Sequence, residues 1–224
     1  NRVAVVQLAE WLRMAGYRVF LVNQVPRPLG LEPILPDLKQ LFDRVYLVDY
    51  PEVRPAERRQ PICEGDYYSQ ATADCLRGIH ERHGLSAIVA VYIHMASCMA
   101  DLPDSILKLA MTIDVHSRFH EDVASRGVAI ESFRRFTPEQ ERDLLRFAHI
   151  VIAIQDHERR MLEALVPDRT IVTVGLAADS FGSPSPLGAR EPIVLFSGSG
   201  NPLNVRGLRM FLADCWGEIR RRAP

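Results

Sequence analysis

Five consecutive positions, Asp114-Val-His116-Ser117-Arg118, gather a carboxylate, an imidazole, a hydroxyl and a guanidinium. They follow the apolar run from Lys108 to Val115, so the sequence predicts them at the carboxyl end of a sheet strand, where open α/β folds collect their ligand groups. A neutral imidazole at His116 hydrogen-bonds a hydroxyl, and a protonated one faces phosphate; its bland alternative is a polar residue ending a strand. Arg118 fits a phosphate or an anionic acceptor, and equally a surface ion pair with Glu121 or Asp122. Asp114-x-His116-x3-His120 also has a metal-like look, because two histidines four apart share a helix face. No HExxH pattern accompanies it and strand precedes it, so no metal is expected.

Two further groups belong with this turn. Tyr92, His94 and Ser97 end another apolar run and are placed to line a pocket at the same sheet edge, although ordinary packing at a helix start explains them as well. Ser197-Gly198-Ser199-Gly200-Asn201 follows Ile193-Val-Leu-Phe196 and precedes a helical pattern. Backbone N–H groups of such a turn cradle a diphosphate at a helix start; a small-residue turn is also what a tight strand-to-helix connection needs.

The elements that must hold these groups alternate along the chain. Val3, Val6, Leu8, Leu12 and Ala15 have helical spacing, Gly16 ends that helix, and Tyr17 to Asn23 reads as a strand. A proline-rich loop and a short helix lead to the strand Arg44–Asp49. The stretch from Pro51 to Pro61 reads as a solvated loop. A helix from about Asp66 to Arg82 is capped by Gly84, with His80 and His83 meeting the helix dipole at its end. Ser86–Ile93 and Lys108–Val115 are nearly continuous apolar runs, which suit strands covered on both faces in a parallel sheet. Thr137-Pro138 with acidic residues behind it starts a helix. His149–Ile154 and Thr170–Val174 are strands separated by the helix Asp156–Leu165. The expected fold class is α/β, a doubly wound, mainly parallel Rossmann-like sheet in residues 1–179. The Ser/Pro/Gly stretch 180–192 is the expected linker, and 193–224 the first βα unit of a second Rossmann-like domain, with a helix over Val205–Arg222.

Composition sets the class. The chain has 224 residues, 47% hydrophobic and 25% charged, with a formal net charge of −1. Nothing in that balance draws it to nucleic acid. The arginines at 54, 58, 59, 134 and 135 could guide a lipid-linked acceptor to a membrane surface, but Glu52, Glu57 and Glu131 among them favour a solvated face. Cys63, Cys75, Cys98 and Cys215 lack CxxC spacing and read as free thiols of a reducing compartment. A cytoplasmic protein is expected, with peripheral contact to the inner face of the membrane left open.

In order along the chain, several segments resemble the retaining, family-four type of GT-B glycosyltransferase. They are Val6-Gln-Leu-Ala-Glu-Trp-Leu12 with Gly16-Tyr-Arg-Val19; Met111-Thr-Ile-Asp-Val-His-Ser117; Glu141 through Ile154; Val172-Thr-Val-Gly175; and Ile193-Val-Leu-Phe-Ser-Gly-Ser199 with Asn204 onward. The resemblance implies an acceptor domain followed by the start of a nucleotide-sugar-binding domain. The family's first strand and glycine-rich loop would lie before the opening helix, and its acidic donor motif beyond Pro224, so the chain alone is expected to be inactive. It implies His116 and Asp114 as catalytic residues facing a cleft between domains, and Ser197, Gly198, Ser199 and Asn201 against the donor phosphates. Tyr92, His94, Ser117 and Arg118 would line the acceptor side. The implied substrates are a nucleotide-diphospho-sugar and a carbohydrate or lipid-linked acceptor, in building a cell-surface polysaccharide or glycoconjugate, with no metal or other cofactor. A GT-B-like nucleotide-sugar epimerase and a non-catalytic flavodoxin-like binding module are the alternatives.

Overall fold

Alternation along short parallel strands builds the larger of the two units into which the chain divides, Asn1–Ala178 and Asp179–Pro224. The computed structural model describes residues 2–26, 35–50, 68–118, 125, 136–175, 193–198, 200 and 202–222. In chain order the first unit holds α1 (Arg2–Met14), β1 (Phe20–Pro26), α2 (Leu35–Leu41), β2 (Arg44–Tyr50), α3 (Gln70–His83) and β3 (Ala87–Val91). A 3₁₀ helix (Ile93–Met99), β4 (Leu107–Met111), α4 (Pro138–Leu145), β5 (Ile150–Ala153), α5 (Asp156–Leu165) and β6 (Thr170–Thr173) follow.

Every strand pair is parallel, in two sheets: β1-β2 and β3-β4-β5-β6. The parallel strands expected of one mainly parallel sheet stand in two among the described residues, because β1 and β3 share no ladder. Within the larger sheet, side chains alternate between faces as strand geometry requires. Ala90, Ala110, Val151, Ala153 and Ile171 meet Leu144 and Leu145 of α4 and Leu162 of α5. Val89, Leu109, Met111, Ile152 and Val172 turn the other way, toward Ala4 and Leu8 of α1. Helices therefore cover both faces, which makes this a Rossmann-like α/β unit. Each fully buried leucine contributes about 1.5–3 kcal/mol.

Local signals start and stop the helices. Thr137 accepts the Gln140 N–H through its hydroxyl while the Gln140 side chain accepts the Thr137 N–H, a reciprocal capping box ahead of Pro138. Ser69 Oγ accepts the Thr72 N–H at 3.3 Å, and Gly84, at φ 64°, donates to the His80 carbonyl at 2.8 Å. His80 and His83 stand in the last turn of α3, as expected, and there burial, then Arg44, Arg18 and Arg82, hold the His83 imidazole below its ordinary range.

Strand ends differ from expectation too. The ladder of β3 stops at Val91 because the 3₁₀ helix begins at Ile93, and that of β4 stops at Met111. Beyond Met111, the Thr112 N–H and hydroxyl both donate to the Ile152 carbonyl, at 2.9 and 3.2 Å, and the chain turns away.

The second unit contains one helical rod: α6 (Pro202–Met210), a π turn (Phe211–Cys215) and α7 (Trp216–Arg222). At the π turn the rings of Phe211 and Trp216 lie 6.2 Å apart. Residues 193–196, expected as the strand of a second βα unit, are not one. An extended segment needs a neighbouring ladder for its backbone groups, and the described residues of this unit offer only helix. Cys75, Cys98 and Cys215 are free thiols. Among the described residues no helix is long and apolar enough to cross a membrane. Cys63, His120, Glu121, Asp122, Arg134, Arg135, the stretch 51–61 and the linker 180–192 lie outside the described residues.

Candidate functional site

The carboxyl ends of β3, β4 and β5 are adjacent, and the chain leaves each of them through a polar turn. Tyr92 follows β3 with φ 70° and ψ 134°, the only non-glycine positive φ among the described residues. That conformation costs an ordinary residue on the order of 1–3 kcal/mol. It persists because the Tyr92 N–H donates to the Met111 carbonyl and its own carbonyl accepts the Met95 N–H, both at 3.0 Å. The strained backbone leaves the Tyr92 ring stacked on His94, with centroids 5.5 Å apart.

From β4 the chain passes Asp114 and enters a helical turn, residues 116–118. Glu141, on α4, anchors that turn. Its two carboxylate oxygens accept the backbone N–H groups of His116 and Ser117, each at 2.8 Å. These are the N–H groups that a helix start leaves without an internal partner. Glu141 is fully buried, and burial raises its carboxyl above the ordinary range even though Ser117 and the two N–H groups pull the other way. The His116 ring is half-buried and lies 5.4 Å from Phe136. Ser117 is buried and Arg118 exposed, so those two expected acceptor contacts part company. Ser117 is committed to Glu141.

A third carboxylate joins from α5. Glu158 is buried, with Gln155 Nε2 donating to its Oε1 at 3.0 Å. Burial raises Asp114 above the ordinary carboxylate range, and Glu158 and Glu141 add to the shift. Burial and then Asp114 raise the Tyr92 phenol. The floor of this edge is therefore acidic and partly dry: Asp114 takes up a proton more readily than a surface carboxylate. Ionised carboxylates there would accept hydrogen bonds from hydroxyl groups and repel phosphate. Among the described residues no group of three or more His, Cys, Asp and Glu side chains could hold a metal ion.

Tyr92 and His94 thus follow the end of β3, and Asp114 and His116 follow the end of its neighbour β4, with Asp114 close enough to act on the Tyr92 phenol. Glu141 and Glu158 are the additions. Glu141 sits in a quoted helix signature, but its contact spans 25 residues of chain, and no spacing rule reaches that far. For Glu158 the one sequence signal is an acidic residue in a helix's first turn, which ordinarily reads as dipole compensation.

Of the expected phosphate cradle, Ser197 and Gly198 are described: both are exposed and no strand precedes them. A side chain at Gly198 would come within 3.0 Å of the Phe196 ring and 3.2 Å of the Asn204 amide, so the chain itself fills the space beside that glycine. Ser199 and Asn201 lie outside the described residues. No known protein-family model matches this sequence, and no curated protein is similar to it.

Proposed function

We propose that the first unit binds the hydroxyl-bearing substrate of a glycosyl transfer, in which a sugar passes from a nucleotide-diphospho-sugar to an acceptor hydroxyl. The observation that carries this reading is that Tyr92 leaves β3 and Asp114 and His116 leave neighbouring β4 at the same sheet edge, with Asp114 acting on the Tyr92 phenol and Glu141 fixing the turn that bears His116. A neutral His116 imidazole hydrogen-bonds the reacting sugar or acceptor hydroxyl, and Asp114 accepts a second hydroxyl. Such directed contacts lower a barrier because they are in place before charge develops. The acidic floor disfavours phosphate, so the donor's diphosphate belongs to other residues. In a cell the acceptor would be carbohydrate or lipid-linked, with the protein on the cytoplasmic side of the membrane.

The test is turnover of a panel of UDP-, GDP- and ADP-sugars by the natural-length protein and its His116→Ala variant. The expected result is one donor consumed by the parent, with a loss on the order of 10²-fold in the variant. Consumption of no donor, or full activity without His116, would sink the reading. The raised carboxyl at Asp114 beside buried Glu158 favours one other reaction, proton transfer in a nucleotide-sugar epimerase. Release of a free epimer in place of a glycosylated product would identify it.

A further inference from the structure

Basic side chains gather at the amino ends of β1 and β2. Phe20 and Arg44 open the two strands and are partners in register, so their side chains leave the sheet on one face. On that face the Phe20 ring meets the His83 ring of α3 at 5.0 Å and the Tyr46 ring at 6.4 Å. The Arg18 guanidinium stands 5.3 Å from the centre of the same Phe20 ring. Arg82 precedes His83 in the last turn of α3, and Lys39, near the end of α2, lines a depression together with Arg44 and Tyr46. Arg18, Arg44 and Arg82, all exposed and each from a different segment, thus border one half-buried imidazole, with Lys39 beside them.

Ordinary structural roles account for part of this. Cations favour a helix's carboxyl end, which suits Arg82, and a guanidinium is drawn to the face of an aromatic ring, which suits Arg18. Neither role supplies negative charge. Asp43 lines the same depression as Arg44, but its Oδ2 accepts the Val19 N–H at 2.8 Å. Asp37 of α2 and Glu81 of α3 are exposed. Among the described residues no carboxylate forms an ion pair with Arg18, Lys39, Arg44 or Arg82, whereas Arg77, Arg146 and Arg159 each have one within 3.4 Å. The unopposed charge is felt locally: after burial, Arg44, Arg18 and Arg82 hold the His83 imidazole below its ordinary range.

We infer that this cluster is a binding site for a phosphate-bearing anion, held between the guanidinium groups of Arg18 and Arg44, with Arg82 and Lys39 adding charge. The planar fork of arginine matches phosphate oxygens two at a time. The ligand chemistry is that of a phosphomonoester or diphosphate, free or at the head of a lipid. The cluster stands at the amino ends of β1 and β2, away from the turns that bear the candidate site, and does not rest on the reaction proposed above.

Inorganic pyrophosphate, titrated into the 224-residue chain at low ionic strength while the imidazole resonances are followed by NMR, tests the site. The His83 resonance should move saturably, and its titration midpoint should rise toward the ordinary histidine range as the anion offsets the arginines. Arg44→Gln and, separately, Arg18→Gln should each weaken pyrophosphate about tenfold. Arg159→Gln, which removes an arginine that already has a carboxylate partner, should leave the affinity unchanged. If pyrophosphate binds, co-sedimentation with phosphatidylglycerol vesicles, absent with phosphatidylcholine ones and lost in Arg44→Gln, identifies a lipid headgroup as the carrier of the phosphate. Pyrophosphate binding without co-sedimentation identifies a free phosphate compound. No saturable shift at His83, or equal weakening by Arg159→Gln, overturns the inference. So does vesicle binding with no pyrophosphate effect at His83, because diffuse surface charge would then explain it.

Discussion

Ile150-Val-Ile-Ala153 and Ile193-Val-Leu-Phe196 are near twins in composition, and each is followed within a few residues by a helix. The first is a parallel strand whose Val151 and Ala153 are fully buried. The second forms no ladder, and its side chains are 82%, 57%, 86% and 50% exposed. Intrinsic preference is the same in both; neighbours differ. β5 has β4 and β6 on its sides and helices on both faces, whereas residues 193–196 have no strand beside them among the described residues. An apolar run becomes a strand when something accepts its backbone groups and covers its faces.

The largest test of this contrast is truncation. Leu162→Ala, in the buried face of α5, should cost about 2–5 kcal/mol in urea unfolding, while Leu195→Ala should stay within about 0.5 kcal/mol. Equal effects would mean that residues 193–196 are buried in solution after all. A smaller effect is expected at α4: Thr137→Ala removes half of the capping box and should cost about 1 kcal/mol. An unchanged denaturation midpoint would show that packing alone starts that helix.

The subtlest test concerns pH. The folded state holds Asp114 above the unfolded carboxylate range, so folding takes up protons between the two values. Stability from that group is present at low pH and is lost as pH rises through the folded value, from about pH 4 upward. Asp114→Asn should therefore lose less stability than the parent across that window, with the two curves converging in acid. Parallel curves throughout would show that Asp114 is solvated.

The same contrast explains what the sequence made legible. Thr137, Pro138 and Gln140 announce α4 because capping is decided within four residues. The span Asp156–Leu165 matches α5 end to end, since its amphipathic pattern is local. The overshoot of β4 has a local cause as well: Thr112, Ile113 and Val115 are β-branched and read as strand, but the fold spends them on the turn toward Glu141. Of the candidate site, the residues in the turns were visible as types. What fixes them was not, because the carboxylate under His116 arrives from a helix that folds back onto the turn. The missing ladder between β1 and β3 was likewise invisible, since both strands carry the apolar runs of interior strands.

The π turn at Phe211–Cys215 has its own consequence. In a regular helix residues five apart point about 140° from one another, yet Phe211 and Trp216 meet ring to ring. The turn works as a phase shifter, resetting the helix by one residue partway along its length. A wheel drawn at constant pitch from Pro202 therefore assigns every side chain after Cys215 to the wrong bearing. Deleting one residue inside the turn would let the rod close as regular α-helix while Trp216, Ile219 and the arginines behind them keep nearly the same bearing, because residues four apart lie only about 40° from alignment.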